Sequence, residues 1–171
     1  MGILSGNPKN EPLHYGEVFG LWSAYSTAKA SLVAYQVYYN HTGDRDLKRF
    51  IEDMINSVIK PSIEDLEEVL KKNRVPLSPT PPERSEADLD DIPIGARIND
   101  PEIAMTISKD IAQGLVADSQ VIGQSIREDV AMLFGQMHMK KAQMGAKLLQ
   151  MNKEKGWLVP PPLHKEKNKT N

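Results

Sequence analysis

A chain without cysteine must do its chemistry with carboxylates, imidazoles, amines and hydroxyls. This one has 171 residues, four histidines and no cysteine. Thiol nucleophiles, disulfides and thiolate metal sites are therefore excluded. Of the remaining patterns, Glu-x-x-His on a helix is the most capable. Three residues apart, the two side chains share a face and can ligate and bridge a metal pair. A complete centre needs that pattern on two helices and a carboxylate from each of two more. His41 has Tyr38 three residues before it, His138 has Gly135, and His164 follows three prolines. Only His14 qualifies, with Glu11 before it and Glu17 one turn on. An acid at position 11 is equally explained by the positive end of a helix dipole. Asp118 sits between Leu115 and Ile122 at core spacing. A buried carboxylate needs a partner, and Lys29 and Lys141 are the candidates. Glu11, His14, Glu17 and Asp118 are thus the candidate metal ligands, but they form an incomplete set and no metal is expected. The chain has no G-x-S-x-G and no glycine-rich phosphate loop. No catalytic residue and no cofactor are expected.

Four helices must position these residues. The first is expected over 12–41, capped by Asn10 with Pro12 in its first turn. Gly43 ends it and Asp44 caps the second, expected over 44–74. Pro61 should kink that helix near Val58 to Lys60, because a proline cannot join the helical ladder. Residues 75–99 carry Pro76, Pro79, Pro81, Pro82 and Pro93 among five acids and show no helical period. The third helix is expected over 100–122, with Asp100 as cap and Pro101 at its first position. The fourth is expected over 126–155, opened by a Ser125–Glu128 capping box. Its residues Val130, Phe134, Met137, Lys141, Met144, Leu148 and Met151 alternate by three and four, a bundle seam that Lys141 must leave or neutralise.

Short turns make helices one and two antiparallel, and likewise three and four. A helix of the second one's length is about 45 Å long. The 75–99 segment could span roughly 80 Å. It is therefore read as a long Pro/acid-rich crossover along an all-α, four-helix, ferritin-like bundle. The chain is read as one domain over 1–171, with a flexible stretch at 1–10 and an extended tail at 156–171.

Acidic and basic residues nearly balance, giving a net charge of −2. No basic face is evident, so nucleic acid is not an expected partner. The start of the chain lacks a signal-peptide pattern. Position 6 is glycine, which breaks the myristoylation pattern. No apolar run reaches bilayer-spanning length. Synthesis in the cytoplasm and no membrane partner are expected. On helix one, Gly16, Gly20, Ala24 and Ala28 form a small-residue stripe that lets another helix approach closely. Phe19, Trp22, Tyr25, Tyr35, Tyr38 and Tyr39 crowd the same helix, and any left exposed would favour self-association. Met132 and Met139 stand off the seam of helix four and are the methionines to watch for a partner surface.

The stretch EKGWLVPPP, Glu154 to Pro162, reads as a helix stop. Gly156 suits a left-handed cap, and Trp157 and Leu158 are expected to fold back on the last turn. Pro160 to Pro162 then hold the chain extended. A proline-peptide docking role is the rival reading of the tail.

Three stretches resemble one protein family: GLWSAYS at Gly20 to Ser26, SIREDV at Ser125 to Val130, and EKGWLVPPP. The family is the spore coat protein F-like (CotF-like) group of ferritin-like proteins from endospore-forming bacteria, related to a domain family of unknown function. The resemblance implies structural roles for Ser125, Arg127, Asp129, Gly156 and Trp157. It implies a non-catalytic protein in or near the spore coat, partnered by a second copy of itself, as a dimer, or by other coat proteins. The alternative is a ferritin-like metal oxidase or metal store with a degenerate carboxylate and histidine site.

Overall fold

The computed structural model describes residues 11–164. Helix α1 is Tyr15–His41, α2 is Arg45–Met54, α3 is Lys60–Lys72, α4 is Asp100–Gln124 and α5 is Glu128–Glu154. A π turn, Ile55–Ile59, joins α2 to α3 without a break, so these α-helices make four rods among the described residues. The described residues contain no strand.

Each rod begins where tertiary contacts allow, and this shifts several expected boundaries. Helix α1 starts three residues later than expected, because His14 caps it and accepts from the Gly16 N–H at 2.9 Å. Pro12 lies before the helix, and Asn10 lies outside the described residues. Asp44 caps α2 through the N–H groups of Asp46 and Leu47, both at 3.0 Å. The expected cap of α4 is displaced. Asp100 accepts from Thr42 Oγ1 and from Gly43 N–H. Asn99 therefore caps α4, and Glu102 accepts its N–H at 2.8 Å. The expected Ser125 capping box does not open α5 either. Ser125 is the C-cap of α4, with its hydroxyl on the Val121 carbonyl at 2.7 Å, and Arg127 is the N-cap of α5.

Pro61 acts by widening the helix over a turn that overlaps the expected Val58 to Lys60 and begins three residues earlier. The Lys60 N–H bonds the Ile55 carbonyl, five residues back, which is the π spacing. One extra residue in the turn opens the ladder just before the proline ring would crowd it. Ile55, Val58 and Ile59 of this turn are buried.

The core is one cluster drawn from all four rods. Leu21, Leu47, Ile51, Leu66, Ile107 and Phe134 are among its fully buried members. Each such side chain contributes about 1.5–3 kcal/mol relative to exposure. Met137 and Met144 are core, whereas Met132 and Met139 are exposed. Tyr25 and Tyr35 are buried, but Phe19 and Trp22 face outward.

Residues 73–99 leave α3 through a left-handed Arg74 (φ 57°) and hold mainly to α1. The side-chain amides of Gln36 and Asn40, one turn apart, grip this segment. Gln36 donates to Glu83 and accepts from the Arg84 N–H, both at 2.8 Å. Asn40 donates to the Ser85 carbonyl at 2.9 Å and accepts from the Ala87 N–H at 3.2 Å. His41 accepts the Ile98 N–H at 3.1 Å.

Candidate functional site

The polar residues singled out in the sequence mostly converge at one place, under the start of α1. Glu17 is its centre and is fully buried. The first turn of α1 fixes it, because its carboxylate reaches back to the His14 N–H at 3.1 Å. The other carboxylate oxygen accepts the N–H groups of Ile126 and Arg127, each at 2.9 Å. Those two amides open toward α5. Glu17 therefore holds the two amides just ahead of α5, from 109 and 110 residues away in sequence.

His14 closes the same corner. Its Nδ1 accepts the Gly16 N–H, so the neutral ring carries its proton on Nε2 and donates it to the Gln124 carbonyl at 3.1 Å. The end of α4 is thereby pinned to the start of α1.

Arg127 is only 3% exposed. Its guanidinium forks onto Asp129, at 3.0 and 2.6 Å. One Nη donates to the Glu11 carbonyl at 3.1 Å and to Asn73 Oδ1 at 2.9 Å. The planar, always-charged fork suits this task, since it presents five donors in a fixed geometry, two of them matched to a single carboxylate. Asp129 also accepts the Val130 N–H at 3.0 Å, which helps start α5. Hydrogen bonding from Arg127 holds the Asp129 carboxyl below its ordinary value. The Asp129 contact likewise pushes Arg127 upward.

Asp118 stands apart, on α4 facing α5. Lys141 donates to both its oxygens at 2.7 Å, so the seam-breaking cation of α5 meets the buried acid of α4. Burial pushes the Asp118 carboxyl up, and Lys141 pulls against that. The second candidate partner, Lys29, is not the one used.

Gly156 and Trp157 lie at the far end of α5. Gly156 is left-handed (φ 70°). Its N–H bonds the Lys153 carbonyl at 3.3 Å, and the Trp157 N–H bonds the Asn152 carbonyl at 2.9 Å. This is the paired closure that ends a helix on glycine. Trp157 packs against the core with Lys155 over its ring, whereas Leu158 stays exposed. Lys155 reaches Asp44 at 2.7 Å and Asp46 at 2.8 Å, tying the end of α5 to the start of α2. The prolines that follow are exposed and carry no regular structure.

A metal centre does not fit these residues. The lone pairs of Glu17 face three backbone donors, both nitrogens of His14 are engaged, and Asp118 is held by an ammonium. Among the described residues no three metal-ligating side chains converge. The arrangement can do something else well. It joins the ends of all four rods through directed hydrogen bonds, several of them buried. The sequence marked Glu11, His14 and Glu17 by their spacing and Arg127 and Asp129 by their motif. It missed that they form one cluster, and it missed Asn73 altogether. An amide side chain just past a helix end was the signal available for Asn73.

Over residues 1–170 the chain matches a family described as a protein of unknown function, DUF3231. It is 52% identical over 168 residues to the uncharacterized protein YvdQ of Bacillus subtilis (strain 168), covering 98% of each chain. A provisionally assigned spore coat protein from Bacillus halodurans has a solved structure that is 56% identical. It superposes with a TM-score of 0.91 over 94% of this chain and 100% of that one. A two-domain protein from Anabaena variabilis, with DJ-1/ThiJ/PfpI-like and ferritin-like domains, is 18% identical. It matches with a TM-score of 0.63 over 88% of this chain and 40% of its own, a likeness of fold alone.

Proposed function

The chain belongs to the DUF3231 family, and from that membership we propose a non-catalytic assembly protein of the spore coat or its formation. The observation that carries this reading is the 56% identical Bacillus halodurans relative, named for the spore coat and matched along its whole length. The buried cluster supports it from the other side. The hydrogen bonds of Glu17, His14 and Arg127 run to other parts of the same fold, which supports a structural task for that cluster.

The proposal extends to architecture. Residues 11–164 are read as one ferritin-like four-helix bundle with a single long crossover. Asn73, at the end of α3, meets Arg127 at the start of α5. Asp100, at the start of α4, meets Thr42 and Gly43 beyond the end of α1. Residues 75–99 then travel the bundle's length, and α3 and α4 run the same way.

The assembly surface is assigned to the outer face of α1. Tyr15 is 95% exposed and Phe19 is 70% exposed, with Trp22 one turn further on the same face. Large aromatics at four- and three-residue spacing make an apolar patch where solvent would favour charge. A second copy of the chain is the proposed partner, with other coat proteins as the wider setting. Nothing in the geometry favours a metal store. A fluorescent fusion followed through sporulation in a Bacillus host tests the role. Signal gathering at the forespore or coat is expected. Uniform vegetative fluorescence with no such enrichment would rule the role out.

A further inference from the structure

Between α1 and α4 runs a groove of about 610 Å³. That size falls within the usual range of small-molecule sites, roughly 300–1,000 Å³. Its cause is the small-residue stripe of α1. At Gly20 the two helices touch, since a Cβ there would meet Val121 at 3.0 Å. Further along, Ala24, Ala28 and Ala34 are too short to fill the space, and all three line it. Phe134 and Met137 of α5 and the π-turn residues Val58 and Ile59 supply more of the apolar wall.

The polar groups of the groove are not balanced. Its charged residues are Asp110, Asp118 and Lys141. Asp118 and Lys141 neutralise each other. Asp110 makes no ion pair or side-chain hydrogen bond among the described residues. Ser62 is 3% exposed, and its hydroxyl has no hydrogen-bond partner. Tyr35 is equally buried and lines the same groove, and its hydroxyl has no hydrogen bond to any described residue. Native interiors rarely leave a buried hydroxyl such as that of Ser62 unmet. Asp110 also acts electrostatically on Tyr35 and Tyr38, so the three are neighbours.

We infer that this groove binds a small organic amine with an apolar body. The body fills the space over the alanines, and the ammonium meets Asp110. An ammonium has three donors and no acceptor, which suits a carboxylate flanked by unpartnered hydroxyl oxygens. A carboxylic acid of the same shape would bring a second negative charge to Asp110. An alcohol would leave that charge uncompensated. Burial pushes the Asp110 carboxyl upward against the pull of neighbouring Lys109, which makes no ion pair with it among the described residues. The inference does not rest on the spore-coat role, although Phe19 lines the groove as well as the proposed self-association face.

The test uses the full chain and three probes sharing one body: 4-phenylbutylamine, 4-phenylbutan-1-ol and 4-phenylbutyrate. Calorimetric titration gives affinity, and backbone amide shifts locate binding. The amine is expected to bind saturably and about tenfold tighter than the alcohol, with the acid weakest. Shifts should gather on α1, α4 and the π turn. Asp110→Asn should bring the amine within about threefold of the alcohol. Ala28→Leu should weaken all three probes while the melting temperature holds. No saturable amine binding, an acid that binds as well as the amine, or an Asp110→Asn variant that binds unchanged would each overturn the inference. So would a wild-type dimer that excludes the amine and is split by Ala28→Leu, for the groove would then be a subunit interface.

Discussion

Replacing Glu17 by alanine should be the most damaging single change at the polar cluster. Its carboxylate serves three backbone N–H groups, and two of them belong to the turn that starts α5. Alanine leaves those amides buried or half-buried with nothing to accept them. Each orphaned buried donor costs about 1–3 kcal/mol. The nearby Arg127 guanidinium also loses a favourable negative charge. Taken together, a loss of about 3–5 kcal/mol is expected. For a chain of this size each kcal/mol moves Tm by about 2–4 °C, so the fall should be roughly 6–20 °C. Urea unfolding followed by circular dichroism measures the first quantity and a thermal scan the second. His14→Ala is the comparison, since it removes a capping contact worth about 1 kcal/mol. A Glu17→Ala protein melting within 2 °C (roughly the effect of a surface change) of wild type would refute the reasoning.

Other outcomes follow from the same contacts. Trp157→Ala should cost about 2 kcal/mol in urea unfolding, since the ring is only partly buried, and an unchanged Tm would contradict its anchoring role. Asp118→Ala should cost about 3 kcal/mol by stranding Lys141, whereas the double change Asp118→Leu with Lys141→Met should be near neutral. Equal losses in the two proteins would contradict that pairing. Acid should unfold the protein partly through Asp129 and Asp44. Arg127 holds Asp129 below its ordinary value. At Asp44 burial pushes upward but is outweighed by Lys155 and two backbone amides, so its value is lowered too. Unfolded aspartates titrate near about 3.9. The stabilisation is therefore complete above that pH and is lost as pH falls through the lowered folded values. Asp44→Asn with Asp129→Asn should flatten the acid limb of the stability curve, and an unaltered limb would show that other groups govern it.

The four helices were legible because their apolar periods are strong and their connections short. Boundaries were less legible, and the shifts at the starts of α4 and α5 have tertiary causes. Asp100 has the right type to cap α4, but Thr42 and Gly43 draw its carboxylate away. Ser125 and Glu128 have the right spacing for a capping box, but Ser125 ends α4 with its N–H and hydroxyl on the Val121 carbonyl, and Glu17 takes the next two amides, those of Ile126 and Arg127. No local rule reports a competitor more than 100 residues distant. The same limit applied to the polar cluster. Glu11, His14 and Glu17 read as possible ligands because their spacing is local. The Arg127 that gives the cluster its structural character lies beyond any such spacing. Lys141 was easier, since a cation on an apolar seam and an acid on the facing helix call for each other. The small-residue stripe of α1 was visible too. Its consequence differs along its length: close contact at Gly20, and an open groove past Ala24.

Self-association through the outer face of α1 is the step on which the proposed role depends. Sedimentation equilibrium of the wild-type chain against a Tyr15→Ser, Phe19→Ser double variant measures it directly. The wild type should sediment as a dimer or larger species that dissociates on dilution. The variant should be monomeric with its helical circular dichroism unchanged. A wild type that stays monomeric across the concentration range, or a variant that associates equally well, would contradict the account.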